Sequence, residues 1–364
     1  MMNDTNRPID PRRATRRLAL VAVGCALAAT GCASHTLTPA DPTVEQARTA
    51  QPRWFPSPDF DYPYEEIPFD NHTVGRGATD HYTERQLTVP SYGLGDRHDG
   101  KIRARYLRSE LPGPKPLVIV LPIYARYTYP SRKLAGFLQR NSNGAVHVLD
   151  VEGKEFILDW TRLTETDDEE DFIETARRGV ERERETVIDI RRLIDWAEQR
   201  PEIDADRVAL IGFSRSAMVA GLAATQEPRL AATVLMMGGA HPHRIIARCD
   251  GRRSSLVRNN VREQFGWDTE ELEERLGELF AEVDAASFPG RVDPATVLVF
   301  EANRDECIPQ SSRQDLKRTM GWPRTYTLDR KHRQAFIGIT PLGGKWIFHR
   351  TWEFLSERFG LVPP

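Results

Sequence analysis

The sequence predicts an α/β fold: a mostly parallel central sheet flanked by helices, with a small helical cap inserted late in the chain. Three observations predict it. Apolar runs rich in β-branched residues occur at 117–121, 145–149, 208–213, 232–237 and 295–300, and such runs suit strands buried on both faces. Helical segments separate most of them, which argues for crossover connections and a sheet covered on both sides. The residues with chemical potential sit just after strand runs, at the carboxyl edge where parallel sheets bind ligands.

The elements follow in order. Residues 82–89 and 102–107 read as opening strands, 117–121 as the first buried strand, 131–140 as a helix and 145–149 as the next strand. Residues 167–199 read as one long helix. Its acidic start, Asp167, Asp168, Glu169, Glu170 and Asp171, suits the positive end of a helix dipole and is read as a solvated helix start, not a metal site. Val180, Val187, Ile190, Ile194 and Ala197 continue its apolar face. Between residues 241 and 294 the alternation breaks. Asp268-Thr-Glu-Glu271 resembles a capping box, and Leu272, Leu276, Leu279, Phe280 and Val283 recur at helical spacing. This insert is read as the cap over the site, the alternative being a connecting helix on the side of the sheet. The run 324–328 is a short late strand, and His349 falls in a C-terminal helix.

The stretch 208–217, Val-Ala-Leu-Ile-Gly-Phe-Ser-Arg-Ser-Ala, carries the most information. It reads as a buried strand, a sharp turn with Ser214 at its apex, and a helix of small residues (Ala217, Ala220, Gly221, Ala223, Ala224). Such a turn lifts one hydroxyl clear of the backbone. A serine is a weak nucleophile unless a base lies within hydrogen-bond reach and an acid orients that base. Asp305 lies just beyond the 295–300 strand and His332 just beyond the 324–328 strand. Glu301 and Glu306 are the competing acids. His147 and His349 are placed elsewhere, and His241 and His243 follow the 232–237 strand as pocket-wall candidates.

These segments resemble the α/β-hydrolase superfamily, in particular bacterial serine esterases of the dienelactone-hydrolase type, over roughly residues 82–360. Asp204 to Ser214 looks like the approach to a nucleophile elbow. Asp305-x-x-Ile-Pro309 resembles the acid loop, and His332-x-x-x-Phe336 the histidine segment. The chain departs from the pattern in three places. Ser216 replaces the second glycine of the elbow, Lys331 precedes the histidine where glycine is common, and a His-Gly oxyanion segment is absent. The resemblance implies acyl transfer to water through Ser214, His332 and Asp305, without a cofactor, on a small-molecule or lipid-like ester. It implies an oxyanion hole from the N–H of Arg215 and one from the loop after 117–121. Pro122 has no N–H, so Ile123 or Tyr124 is the expected donor there. The alternative is that Tyr124, Tyr127 and Tyr129 only line the cleft. Arg126 and Arg215 either bring positive charge to it or point outward. Cleavage of a peptide or thioester by the same residues, and a catalytically silent binding protein on the same fold, are the alternatives.

The chain has 364 residues, with 50 Lys and Arg against 53 Asp and Glu. That near balance implies neither nucleic acid nor an anionic surface as partner. Arg12, Arg13, Arg16 and Arg17 precede an apolar run at 18–29 that is short for a permanent span. It ends in Ala29-Thr-Gly-Cys32, which resembles a lipoprotein cleavage box with Cys32 as the lipidated residue. An ordinary secretory signal or an uncleaved anchor are the alternatives. Residues 1–31 are therefore read as a leader and the protein as exported to the cell envelope. Residues 32–80, rich in proline, are read as a tether and an arm, part of which the aromatics Trp54, Phe55, Phe60, Tyr62, Tyr64 and Phe69 suggest docks on the domain. Residues 81–364 are the domain itself. Cys249 and Cys307 could pair in an oxidising compartment. No metal-ligand spacing is present, and His241-Pro-His243 alone is too little for a zinc site.

Overall fold

A computed structural model describes residues 35–40, 57–76, 79–93, 100–123, 129–153, 158–336 and 345–361. The leader, Cys32, Trp54, Phe55, Tyr124, Arg126 and Tyr127 lie outside these residues.

One sheet of ten strands organises the described chain. Four strands pair antiparallel to their neighbours: β1 (His35–Thr38), β2 (Asp70–Arg76), β3 (Tyr82–Pro90) and β4 (Lys101–Ser109). Six run parallel at the centre: β5 (Lys115–Val120), β6 (His147–Val151), β7 (Ile203–Phe213), β8 (Leu230–Met236), β9 (Val297–Ala302) and β10 (Arg324–Leu328). The spatial order is β1-β10-β9-β8-β7-β5-β6-β4-β3-β2.

The central strands are apolar throughout because each feeds two cores. Leu117 and Ile119 join one hydrophobic cluster, Val118 and Val120 the other. Helix α1 (Tyr129–Asn141) belongs to the second face. A short helix α2 (Trp160–Glu165) precedes the long α3 (Glu169–Glu198), which packs with α4 (Arg215–Gln226) on the first face. The side chain of Asp168 accepts from the Asp171 N–H at 2.9 Å, so the acidic run caps the start of α3. Three helices fill the insert between β8 and β9: α5 (Pro242–Arg248), α6 (Arg252–Gln264) and α7 (Thr269–Phe280). Then come α8 (Gln310–Thr319), the short α9 (His332–Ala335) and α10 (Trp346–Phe359) on the second face. Among the described residues no helix is long and apolar enough to cross a membrane.

The stretch read as tether and arm contains two strands that the sequence does not announce. β1 is four exposed residues, and β2 carries an irregularity between Thr73 and Gly75. Edge strands wet on both faces show no hydrophobic alternation. Between them part of the arm docks through Phe60 and Tyr62, whereas Tyr64 is 61% exposed and does not. Phe60 is fully buried, and the Tyr62 hydroxyl donates to Asp195 at 2.7 Å. The Ser57 N–H donates to Gln226 at 2.9 Å and that of Ile67 to Gln199 at 3.0 Å.

His147 on β6 is buried with both ring nitrogens engaged. Nδ1 accepts from the Ser109 N–H, and Nε2 meets the Glu202 carbonyl, each at 2.9 Å. Burial pushes its pKa from 6.5 down to about 4. A base with a depressed folded-state pKa takes up its proton more readily when unfolded, so it removes stability as pH falls from 6.5 toward 4. The loss from this residue should approach ~3 kcal/mol. Urea unfolding at pH 7 and pH 4.5 checks it, with His147→Asn showing a shallower dependence than the native protein.

Candidate active site

The centre of the site is a backbone conformation. β7 ends at Phe213 and α4 begins at Arg215; Ser214 between them has φ 50° and ψ −112°. A non-glycine residue there carries roughly 1–3 kcal/mol of strain, tolerated only where its surroundings hold it. The Ser214 N–H donates to the Met236 carbonyl at 2.7 Å, and the Ser214 carbonyl accepts from Ala217 at 3.0 Å. Two positions earlier, a Cβ on Gly212 would stand 2.2 Å from the Ser216 carbonyl oxygen. Only glycine fits. Ser216, where the family pattern has glycine, contributes through its hydroxyl. Its Oγ accepts from the Phe213 N–H at 2.8 Å and donates to the Phe213 carbonyl at 3.1 Å, which closes the turn from inside.

The other two residues follow the ends of β9 and β10, which lie beyond β8 along the sheet. Ser214 Oγ lies 2.9 Å from His332 Nε2, and His332 Nδ1 lies 2.6 Å from Asp305 Oδ2. Asp305 Oδ1 accepts from the N–H groups of Cys307 at 2.9 Å and Ile308 at 2.8 Å, so the carboxylate is fully used and fixed. Its side chain is fully buried. The competing acids are engaged differently. Glu301 binds Lys317 and Thr327, each at 2.9 Å. Glu306 accepts the His332 backbone N–H at 3.1 Å and positions the histidine from its main chain. Lys331 has φ −76°, so glycine is not needed before the histidine.

Of the oxyanion candidates, Arg215 is the first residue of α4, and its N–H is among those with no acceptor within the helix. Ile123 borders the same cavity as Ser214 and Arg215. Tyr124, Tyr127 and Arg126 lie outside the described residues. The Arg215 side chain does not bring free charge to the cleft. Its guanidinium forms a two-point ion pair with Glu183 of α3, with Nη1 at 3.1 Å from Oε1. Burial raises the Glu183 pKa, and Arg215 opposes that rise. Of the two readings of Arg215, the one that brings charge to the cleft is thus ruled out by this ion pair. This partner was hidden from sequence reasoning because Glu183 looks like any other glutamate in a charged helix.

The cavity before Ser214 has a volume of about 770 Å³. Leu121, Ile123, Leu158, Trp160, Met218 and Ile245 give it apolar walls, and Arg182, Glu185, Asp189, Arg252 and Arg333 give it a rim of mixed sign. Tyr129, expected in the cleft, begins α1 on the surface instead and does not border this cavity. The insert contributes Ile245 and residues 249–254 to the wall. Its α7, whose capping box and leucines suggested the cap, packs elsewhere: Leu272, Leu276 and Phe280 sit in the core shared with α3. Trp267, just before it, stacks edge-on to Phe172 of α3. The wall is therefore α5 and the start of α6, with α2 supplying Trp160.

Cys249 at the end of α5 is disulfide-bonded to Cys307, two residues beyond Asp305. The bond ties the cavity wall to the acid loop. Neither His241 nor His243 lines the cavity. His241 Nδ1 faces Asp284 at 2.6 Å and its Nε2 faces Asp315 at 3.0 Å, so it is held at the base of the insert.

Fold and elbow together make this an α/β-hydrolase-fold protein. Residues 177–286 match the family model described as X-Pro dipeptidyl-peptidase (S15 family). Among solved structures, the chain is similar to an acetyl xylan esterase from Paenibacillus sp. R4. That match has 15% identity and a TM-score of 0.59, and covers 86% of this chain and 98% of the other. Acetyl xylan esterase 1 from Thermoanaerobacterium sp. JW/SL YS485 matches at 16% identity and TM-score 0.53, over 81% of this chain and 89% of its own. No curated protein sequence matches the chain significantly.

Two outcomes follow from the geometry. Gly212→Ala should lower stability by on the order of 3 kcal/mol or more, because the clash is with backbone, and a thermal melt reads it. Cys249→Ser with Cys307→Ser should cost about 4 kcal/mol, since the bridge joins residues 58 apart in sequence. A shift of the acid loop in that variant should also reduce the ester turnover proposed below, by up to about 10²-fold if its displacement reaches an ångström. Steady-state kinetics on the folded variant measures this.

Proposed function

We infer that the protein is a serine hydrolase that cleaves carboxylic esters through an acyl-enzyme. The contact that carries this reading is Ser214 Oγ against His332 Nε2 at 2.9 Å, with Asp305 behind the imidazole at 2.6 Å. His332 takes the Ser214 proton as Oγ attacks the carbonyl carbon, and the developing oxyanion is met by the N–H groups of Arg215 and Ile123. His332 then protonates the leaving alcohol. It next takes a proton from water, which attacks the acyl-enzyme and releases the acid and free Ser214. Asp305 holds the imidazole in the tautomer that leaves Nε2 free to accept. The apolar walls support an uncharged, carbon-rich acyl or alcohol group against them. The names of the two structural neighbours favour ester cleavage. The S15 family match over residues 177–286 favours a second reading, cleavage of a peptide bond after proline, by the same residues. Export to the cell envelope with lipid on Cys32 is part of the proposal and rests on the leader sequence alone.

A fluorophosphonate probe on the purified domain separates these readings from a silent binding protein. Labelling should require both Ser214 and His332. Ser214→Ala should lower ester turnover by on the order of 10⁶-fold, and Asp305→Asn by about 10⁴-fold. A panel of p-nitrophenyl esters of increasing chain length beside an X-Pro p-nitroanilide then assigns the bond. An unlabelled but folded protein overturns the hydrolase reading.

A further inference from the structure

At the base of the insert, outside the lining of the nucleophile's cavity, the fold assembles side chains that the proposed chemistry does not use. His241 and His243 bracket the start of α5, and Asp284 arrives at the other end of the insert, just before the chain returns toward β9. One nitrogen of each imidazole and one carboxylate oxygen all lie within 4.8 Å of one another. We propose that His241, His243 and Asp284 bind a first-row divalent cation of the zinc type, which clamps the two ends of the insert together.

The arrangement around these three residues is that of an oriented ligand set. Ligating histidines characteristically donate their second ring nitrogen to a carboxylate, which fixes tautomer and ring angle. His241 does this: Nε2 lies 3.0 Å from Asp315 of α8, while Nδ1 points to Asp284. Asp284 is held in the same manner. Its Oδ1 accepts from the backbone N–H groups of His241 at 3.1 Å and Ala286 at 3.0 Å, which leaves Oδ2 directed at the cluster. The third member supplies the independent sign. Nδ1 of His243 is buried and has no hydrogen-bond partner, a costly condition for an imidazole nitrogen. Nε2 of that ring lies toward α7, 3.5 Å from where a Cβ on Gly277 would stand, so Nδ1 is the atom left without a role. A cation at the cluster gives it one.

Two imidazoles and one carboxylate suit zinc, cobalt or nickel rather than magnesium or calcium, which prefer oxygen ligands throughout. Ligand nitrogens and oxygens at about 2.0–2.2 Å from zinc require the three groups to draw together, and the fourth position is open to water. The Arg244 guanidinium lies 3.4 Å from Asp315 and is itself paired with Glu273 at 3.0 Å, so its charge is offset locally. The rival occupant is a proton, with His241 as an imidazolium between Asp284 and Asp315.

The test is isothermal titration of ZnCl₂ into chelator-stripped protein without a histidine tag at pH 7.5, with MgCl₂ as control. The native protein should take up one zinc per chain. His243→Gln, which breaks no hydrogen bond of the metal-free fold, should keep its metal-free melting temperature and weaken zinc at least 100-fold. Asp315→Asn should weaken it about 10–100-fold, while leaving fluorophosphonate labelling of Ser214 intact. Absence of saturable uptake by the native protein, or uptake unchanged in His243→Gln, overturns the site and leaves the proton as the occupant. Neither outcome depends on whether Ser214 is a nucleophile.

Discussion

Everything at the cavity depends on one residue held where its backbone does not rest. Ser214 stays at φ 50° because β7, β8 and α4 all grip it: the Met236 carbonyl takes its N–H, and its own carbonyl starts the helix. Gly212 allows α4 to cross at van der Waals contact, and the Ser216 hydroxyl stitches the turn to Phe213. Relaxing that turn would swing Oγ away from His332. The strain is therefore offset by the buried centre of the sheet, where parallel strands carry apolar residues on both faces.

The acid loop follows the same logic at lower cost. Asp305 is placed by hydrogen bonds from its own loop and by a covalent tie to the cavity wall. The cavity wall and the Ser214–His332–Asp305 set thus share a mechanical frame. A displacement of α5 is transmitted through Cys249 and Cys307 to the residues flanking Asp305, and through Glu306 to the backbone of His332. Under the proposed function, this frame would couple the fit of a substrate against the wall to the placement of His332.

Much of this was legible in the sequence because it follows from short-range pattern. The strand runs, the elbow and the positions of Asp305 and His332 after their strands are local features, and parallel topology converts them into one edge. What was hidden is long-range and polar. Glu183 becomes the partner of Arg215 only once α3 lies against α4. His241 looked like a wall residue because it follows β8, yet Asp284 and Asp315 draw it to the base of the insert. The leucines of α7 recur at helical spacing whether the helix covers a cavity or packs on a neighbour, so periodicity could not choose between cap and flank. The edge strands β1 and β2 lack any alternation that would have revealed them.

The arm brings a constraint of timing. β1 pairs with β10 in the register His35 to Leu328, so one of the earliest described segments completes the sheet against its last strand. Contacts of such separation form late, after loop closure across nearly the whole chain. A chain emerging N-terminus first would wait with that segment unpaired until β10 is in place. During that interval β10 presents an open row of backbone donors and acceptors, the kind of edge along which sheets of different molecules join. The four residues of β1 thus add little core, and their value lies in occupying that edge before another chain does.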